Sequence, residues 1–199
     1  VIRRNFKLRK LTVVLMIFVL FLSACSNETD KKEGKSKDEK SKDEMVQVTI
    51  PFRFYDGVSE EQVLEQADKL GISKTTINKE DRLVEYEMTR GTQEEISADL
   101  KSNLKSFVEE IEANEDINSI KGIEYNKEYN DYTATVNREL YEAEGNAQGY
   151  ALLGLLLRTL YYHYFNGEDY ETYEVKIDVK DEDTNKVFDT VDFPEDGGI

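Results

Sequence analysis

The chain has 199 residues, of which 42 are acidic and 26 basic, and its net charge is −16 at pH 7. This excess of carboxylates disfavours binding to nucleic acid and to anionic lipid headgroups, because like charges repel. If electrostatics selects a partner, that partner is a cationic protein face, a cationic peptide or a divalent cation. The alternative is that the acidic residues only keep the protein soluble. The single cysteine excludes a disulfide bond within the chain.

The first 25 residues have the three parts of an export signal. A cationic start precedes an apolar run over residues 11–22, and two small residues, Ser23 and Ala24, then lead to the only cysteine, Cys25. The apolar run is long enough for the core of a signal peptide. It is too short for an ordinary membrane span, which needs about 20 apolar residues.

The tetrapeptide Leu22-Ser23-Ala24-Cys25 resembles the lipobox of bacterial lipoproteins. The resemblance implies that the Cys25 sulfur receives a diacylglycerol and that cleavage before Cys25 makes it the new N-terminus. Two or three acyl chains on one residue would then hold the protein stably on the extracytoplasmic face of the cell membrane. An uncleaved signal anchor is the competing interpretation. The many lysines and glutamates and the few prolines are similar to those of lipoproteins from low-GC Gram-positive bacteria.

Residues 25–45 are predicted to form the lipidated cysteine and a disordered tether. The pentapeptide KSKDE occurs twice in succession, at 35–39 and 40–44, and residues 26–44 include no large apolar side chain. Without apolar surface to bury, such a segment cannot offset the entropy lost on ordering, which favours disorder. A helix of lysine and glutamate residues is the competing interpretation. A flexible chain of this length has a mean reach of about 25 Å.

Residues 46–199 are predicted to be one acidic α+β domain that follows the signal peptide, residues 1–24, and the tether. A first strand alternates apolar and polar residues over 46–55, and its Pro51 favours a sheet edge or a bulge, because proline cannot donate to a strand ladder. Capping-box patterns at Ser59–Gln62 and Thr92–Glu95 predict helices over about 59–70 and 92–113, and a third helix covers 147–165. Strands are predicted at 75–77, 83–88, 120–125, 132–136, 172–180 and 186–193. This order indicates an antiparallel sheet with helices packed on one face.

The third predicted helix is apolar on nearly all sides. Such a helix either lies buried across the sheet or leaves one side for a partner. Arg158 interrupts its apolar run, which disfavours a membrane span. Tyr161, Tyr162 and Tyr164 mark the candidate interaction patch, since a tyrosine ring is apolar while its hydroxyl can stay hydrated.

No catalytic set stands out in the sequence. Its one histidine, His163, lies within the third helix, where a packed or half-exposed side chain is the expectation, and a zinc site would normally use several histidines or cysteines. The chain has no Gly-x-Ser-x-Gly motif and no phosphate-binding glycine loop. Carboxylates are too abundant for any pair to be singled out. We therefore expect no enzymatic activity.

A calcium site in the last hairpin loop is the remaining chemical hypothesis. Asp178, Asp181, Asp183 and Asn185 supply the oxygen ligands that calcium prefers, but without the spacing of an EF-hand. Aspartate and asparagine are also the residues that ordinary turns use for their own backbone hydrogen bonds.

The sequence thus predicts a membrane-anchored lipoprotein whose domain is a non-enzymatic binding module for another envelope protein or a cationic peptide. The alternative is a small extracytoplasmic enzyme or a calcium-dependent ligand-binding domain. A solute receptor is disfavoured, because a domain of this size forms one lobe rather than two. A flat exposed patch of tyrosine and leucine would favour interaction, and a closed pocket with perturbed carboxylates would favour catalysis.

Overall fold

The computed structural model describes residues 42–143 and 147–193, and it shows an α+β domain, as predicted. Strands β1 (Met45–Pro51), β2 (Lys74–Asn78) and β3 (Leu83–Thr89) form an antiparallel sheet in the order β1-β3-β2. Strands β4 (Ile120–Tyr125), β5 (Asp131–Val136), β6 (Val175–Asp181) and β7 (Val187–Phe193) form a second sheet in chain order. The predicted signal peptide, Cys25 and most of the tether lie outside the described residues.

Four α-helices lie in the described ranges: α1 (Glu60–Lys69), α2 (Arg90–Ala113), α3 (Arg138–Glu142) and α4 (Ala147–Phe165). The two long helices, α2 and α4, pack against each other, and each of them contacts both sheets. They run antiparallel, since the Gln93 side chain near the start of α2 donates to the Phe165 carbonyl at the end of α4 over 2.9 Å. Among the described residues, no helix combines the length and the apolar character needed to cross a bilayer.

The prediction of one antiparallel sheet is wrong in its detail, because there are two sheets and the second is mixed. Strands β5 and β6 are parallel, with Asp131 opposite Lys176 and Val136 opposite Asp181. Helix α4 lies in the connection between them, and a crossover of this length is what parallel neighbours require. The hairpins β4-β5 and β6-β7 are antiparallel. The alternation of side chains predicts where strands lie, but it does not show which strands pair.

Each sheet has one buried face, which explains why alternating sequences form its strands. In β3, Val84, Tyr86 and Met88 are buried, while the residues between them are only half-buried. In β6, Val175, Ile177 and Val179 are buried in the same way. Apolar side chains at every second position therefore form the core in which α4 lies.

Strand β1 lies at an edge of its sheet, which is one of the two alternatives that Pro51 predicts, but it ends at that residue instead of reaching residue 55. Residues Phe52–Tyr55 form a 3₁₀ turn, and the Phe52 amide donates to the Arg82 carbonyl over 2.7 Å. The turn buries the Tyr55 ring, whereas a continued strand would follow the sheet outward. The turn is therefore the conformation that adds the aromatic side chain to the core.

The capping box at Ser59 is confirmed, because the Ser59 hydroxyl accepts from the Gln62 amide and the Gln62 side chain accepts from the Ser59 amide. The second capping box, at Thr92, is wrong. Helix α2 begins at Arg90, two residues before Thr92, and its N-cap is Thr89, whose hydroxyl accepts from the Thr92 amide over 3.1 Å. Thr89 ends β3 in an extended conformation, which leaves its side chain beside the first free amides of the helix.

Candidate interaction surface

Helix α4 buries most of its circumference and exposes one narrow line of apolar side chains. The fully buried side of the helix includes Leu152 and Leu155. On the opposite side, the exposed fractions are 72% for Tyr150, 45% for Leu153 and 37% for Leu157. A spacing of three and then four residues places these side chains on one face of a helix. We call Tyr150, Leu153 and Leu157 the α4 stripe.

The structure does not place the candidate patch of Tyr161, Tyr162 and Tyr164 at the surface. Tyr162 is 9% and Tyr164 is 1% exposed, and Tyr161 is half-buried. Tyr161 and Tyr164 both pack against Phe54 of the 3₁₀ turn, with ring centroids 5.8 and 5.7 Å apart. The exposed part of α4 therefore lies nearer the N-terminus of the helix than the predicted patch of Tyr161, Tyr162 and Tyr164.

The half-buried Tyr161 belongs to a cluster of hydroxyl groups that links three elements. The Tyr55 hydroxyl oxygen lies 2.7 Å from that of Tyr86 in β3 and 3.2 Å from that of Tyr161 in α4. Burial raises the pKa of Tyr161 to about 12 and that of Tyr86 still further, because an ionised phenolate would lose its hydration. These phenols therefore stay protonated and fix α4 on the sheet.

His163 is buried and held by groups from two loops. Its Nε2 atom lies 3.2 Å from the Tyr129 carbonyl oxygen and 3.0 Å from the Tyr173 hydroxyl oxygen. We assign a proton to Nε2, because a carbonyl oxygen can only accept. Burial is the main cause that lowers the pKa of His163, which favours a neutral ring. Of the two predicted states, packed or half-exposed, His163 adopts the packed one, with 5% of its surface exposed.

Residues of both long helices lie beside the α4 stripe. The Arg158 guanidinium stacks on the Phe107 ring of α2, with Cζ 3.7 Å from the ring centroid. Burial lowers the pKa of Arg158, and the charge of Glu110 opposes this shift. Gly154 lies at the helix contact, where an added Cβ would come within 3.2 Å of the Phe107 ring. The surface next to the stripe is thus built by tight helix packing.

Among the described residues, the carboxylates of Asp178, Asp181 and Asp183 do not form a group that could hold a metal ion, and the calcium site stays a prediction. Asp178 lies on the less buried face of β6, where its carboxylate accepts hydrogen bonds from Lys176 and Thr190, whereas Asp181 lies on the buried face. The two Asp181 carboxylate oxygens accept from the Asp183 amide and the Thr184 hydroxyl. Asn185 has a φ of 56°, a turn conformation that asparagine tolerates. Asp181, Asp183 and Asn185 therefore build the hairpin turn itself.

Two open clefts lie on the surface of the described residues. One, of about 310 Å³, lies between β1 and the loop after α4, and its acidic lining includes Glu168, Asp169 and Glu171. One Asp169 oxygen already accepts from the Glu171 amide over 2.8 Å. A second cleft, of about 320 Å³, lies beside α3 and β7. Across residues 42–143 and 147–193, no group of three or more histidine, cysteine or acidic side chains could hold a metal ion.

Comparison with known proteins finds no matching family model, no similar curated protein and no similar solved structure. The α4 stripe is therefore the feature from which we propose a function. Sequence analysis did not identify Tyr150, Leu153 or Leu157, because a helix that is apolar on all sides gives no sign of which side stays open. The exposed side follows from how the sheets and α2 surround the helix.

Proposed function

We propose that this protein is a lipoprotein, anchored through Cys25 to the outer side of a bacterial cell membrane, and that its domain is a non-enzymatic interaction module. The lipobox-like residues 22–25 support the anchor. The exposed α4 stripe is the observation that supports the interaction module. Through the stripe, the domain binds another protein of the cell envelope or a cationic peptide.

The stripe has the composition and the support of a binding surface. Scattered apolar side chains are normal on protein surfaces, but Tyr150, Leu153 and Leu157 are aligned along one helix. Tyrosine is enriched in protein interfaces. The fully buried leucines on the other side of α4 hold the helix rigidly, so little conformational entropy would be lost when a partner binds.

The anchor and the charge together favour a protein partner over the lipid surface. A tether with a mean reach of about 25 Å would keep the domain close to the membrane. Residues 46–199 include 35 acidic and 15 basic residues, so anionic headgroups repel the domain. The stripe would therefore remain free for a protein at the same membrane.

Site-specific photo-crosslinking in intact cells tests this function. A photoreactive phenylalanine analogue at Leu153 should crosslink to a discrete envelope protein, because that side chain lies in the stripe. The matched control is the same analogue at Leu64 on α1, which is 47% exposed, close to the 45% of Leu153. Equal crosslinking patterns from the two positions, or none from Leu153, would show that the stripe is not a binding surface.

A further inference from the structure

We infer that the partner segment bound by the α4 stripe is a cationic amphipathic helix. This inference rests on the proposed function and adds the chemistry and the conformation of the partner. It follows from the charge of the domain, from the shape of the stripe, and from the side chains that border it.

The charge of the domain decides among the occupants that an apolar surface could take. A second copy of the chain has the same excess of 20 negative charges over residues 46–199 and is repelled, as are anionic lipids. The predicted tether offers no large apolar side chain in residues 26–44 that would match the apolar stripe. A cationic segment is attracted at long range, and its own apolar face can then cover the stripe.

The charged side chains next to the stripe are compatible with positive charge on the partner. Arg158 is the only lysine or arginine within α4, and its guanidinium already stacks on the Phe107 ring. The Glu110 carboxylate is close enough to affect the pKa of Arg158, and its side chain lies on the exposed part of α2. A partner lysine beside the stripe would therefore meet a carboxylate, while the nearby arginine charge is partly compensated.

The shape of the stripe favours a helical partner over an extended one. From Tyr150 to Leu157 the helix rises about 10 Å, and the stripe is a single side chain wide. An amphipathic helix with apolar residues at positions i, i+3, i+4 and i+7 has an apolar face of this length. An extended peptide binds by adding to a sheet edge, and the backbone groups inside α4 are already hydrogen-bonded within the helix.

A peptide titration tests the inference on the whole chain in phosphatidylcholine nanodiscs. The probe is a fluorescent 18-residue Lys/Leu peptide whose leucines occupy i, i+3, i+4 and i+7. Its controls are a scrambled peptide of the same composition and a Glu/Leu peptide with the same pattern. The double variant L153Q/L157Q should weaken binding of the Lys/Leu probe by about tenfold, because two apolar contacts at the centre of the interface are lost.

Two further variants keep the result interpretable. Leu64→Gln changes an equally exposed leucine outside the stripe and should leave the affinity unchanged. Tyr150→Ser removes the most exposed ring of the stripe with little risk to folding, and it should weaken binding as well. The inference is overturned if L153Q/L157Q and wild type bind the probe equally, or if the scrambled or Glu/Leu peptide binds as tightly. If those results appear while Leu153 still crosslinks to an envelope protein, the proposed function stands and the helical, cationic partner is wrong.

Discussion

The buried His163 side chain should make the stability of the folded protein depend on pH. The His163 ring lies between the rings of Tyr162 and Tyr173. The Lys101 ammonium lies over the Tyr129 ring, and its positive charge also disfavours protonation of His163. The carbonyl groups of Tyr129 and Glu128 act in the opposite direction, but burial is the largest effect and the pKa is lowered. The sequence predicts a packed or half-exposed histidine, but it does not predict the contacts with Tyr129 and Tyr173, which come from two loops outside the helix.

The lowered pKa has a definite sign for stability. The unfolded chain binds a proton at His163 below about pH 6.5, while the folded chain does not do so until the pH is lower. The free energy of unfolding should therefore fall as the pH drops from about 6.5 toward the folded-state pKa. The variant His163→Gln should lose this part of the slope. Urea denaturation between pH 5 and 8 measures it, and parallel curves for the two proteins would contradict the assignment.

At the scale of one element, α4 combines a core face with an exposed face. Leu155 is fully buried, so Leu155→Ala should lower the free energy of unfolding by about 2–5 kcal/mol through lost contacts and a new cavity. Leu153→Ala removes the same atoms from the 45% exposed stripe and should cost about 1 kcal/mol or less. Chemical denaturation of both variants provides the comparison. Similar losses at the two positions would mean that the stripe is part of the core.

The same elements show what sequence can and cannot predict. The bounds of α4 were predicted, because an apolar run that ends at Asn166-Gly167 is a strong local signal, and Gly167 has a φ of 95°. The N-cap of α2 was missed, since Thr89 and Thr92 are both good caps and only the end of β3 decides between them. The parallel pairing of β5 with β6 depends on contacts between distant residues, which no local pattern encodes.

For the whole molecule, charge and anchor act together in the proposed function. Residues 46–199 are acidic enough to stay off an anionic surface, and the predicted tether would hold them beside it. A binding surface of three aligned side chains is small, and small interfaces are typically weak and transient. Confinement at the membrane would raise the effective concentration of a partner in the same membrane. The proposed lipid on Cys25 is therefore central to the proposed function.

The mass of the N-terminal peptide of the protein isolated from its native cells tests this claim most directly. We expect the peptide to begin at Cys25 and to carry a diacylglycerol on its sulfur, with residues 1–24 removed. Finding residues 1–24 still attached to an unmodified Cys25 thiol would contradict it.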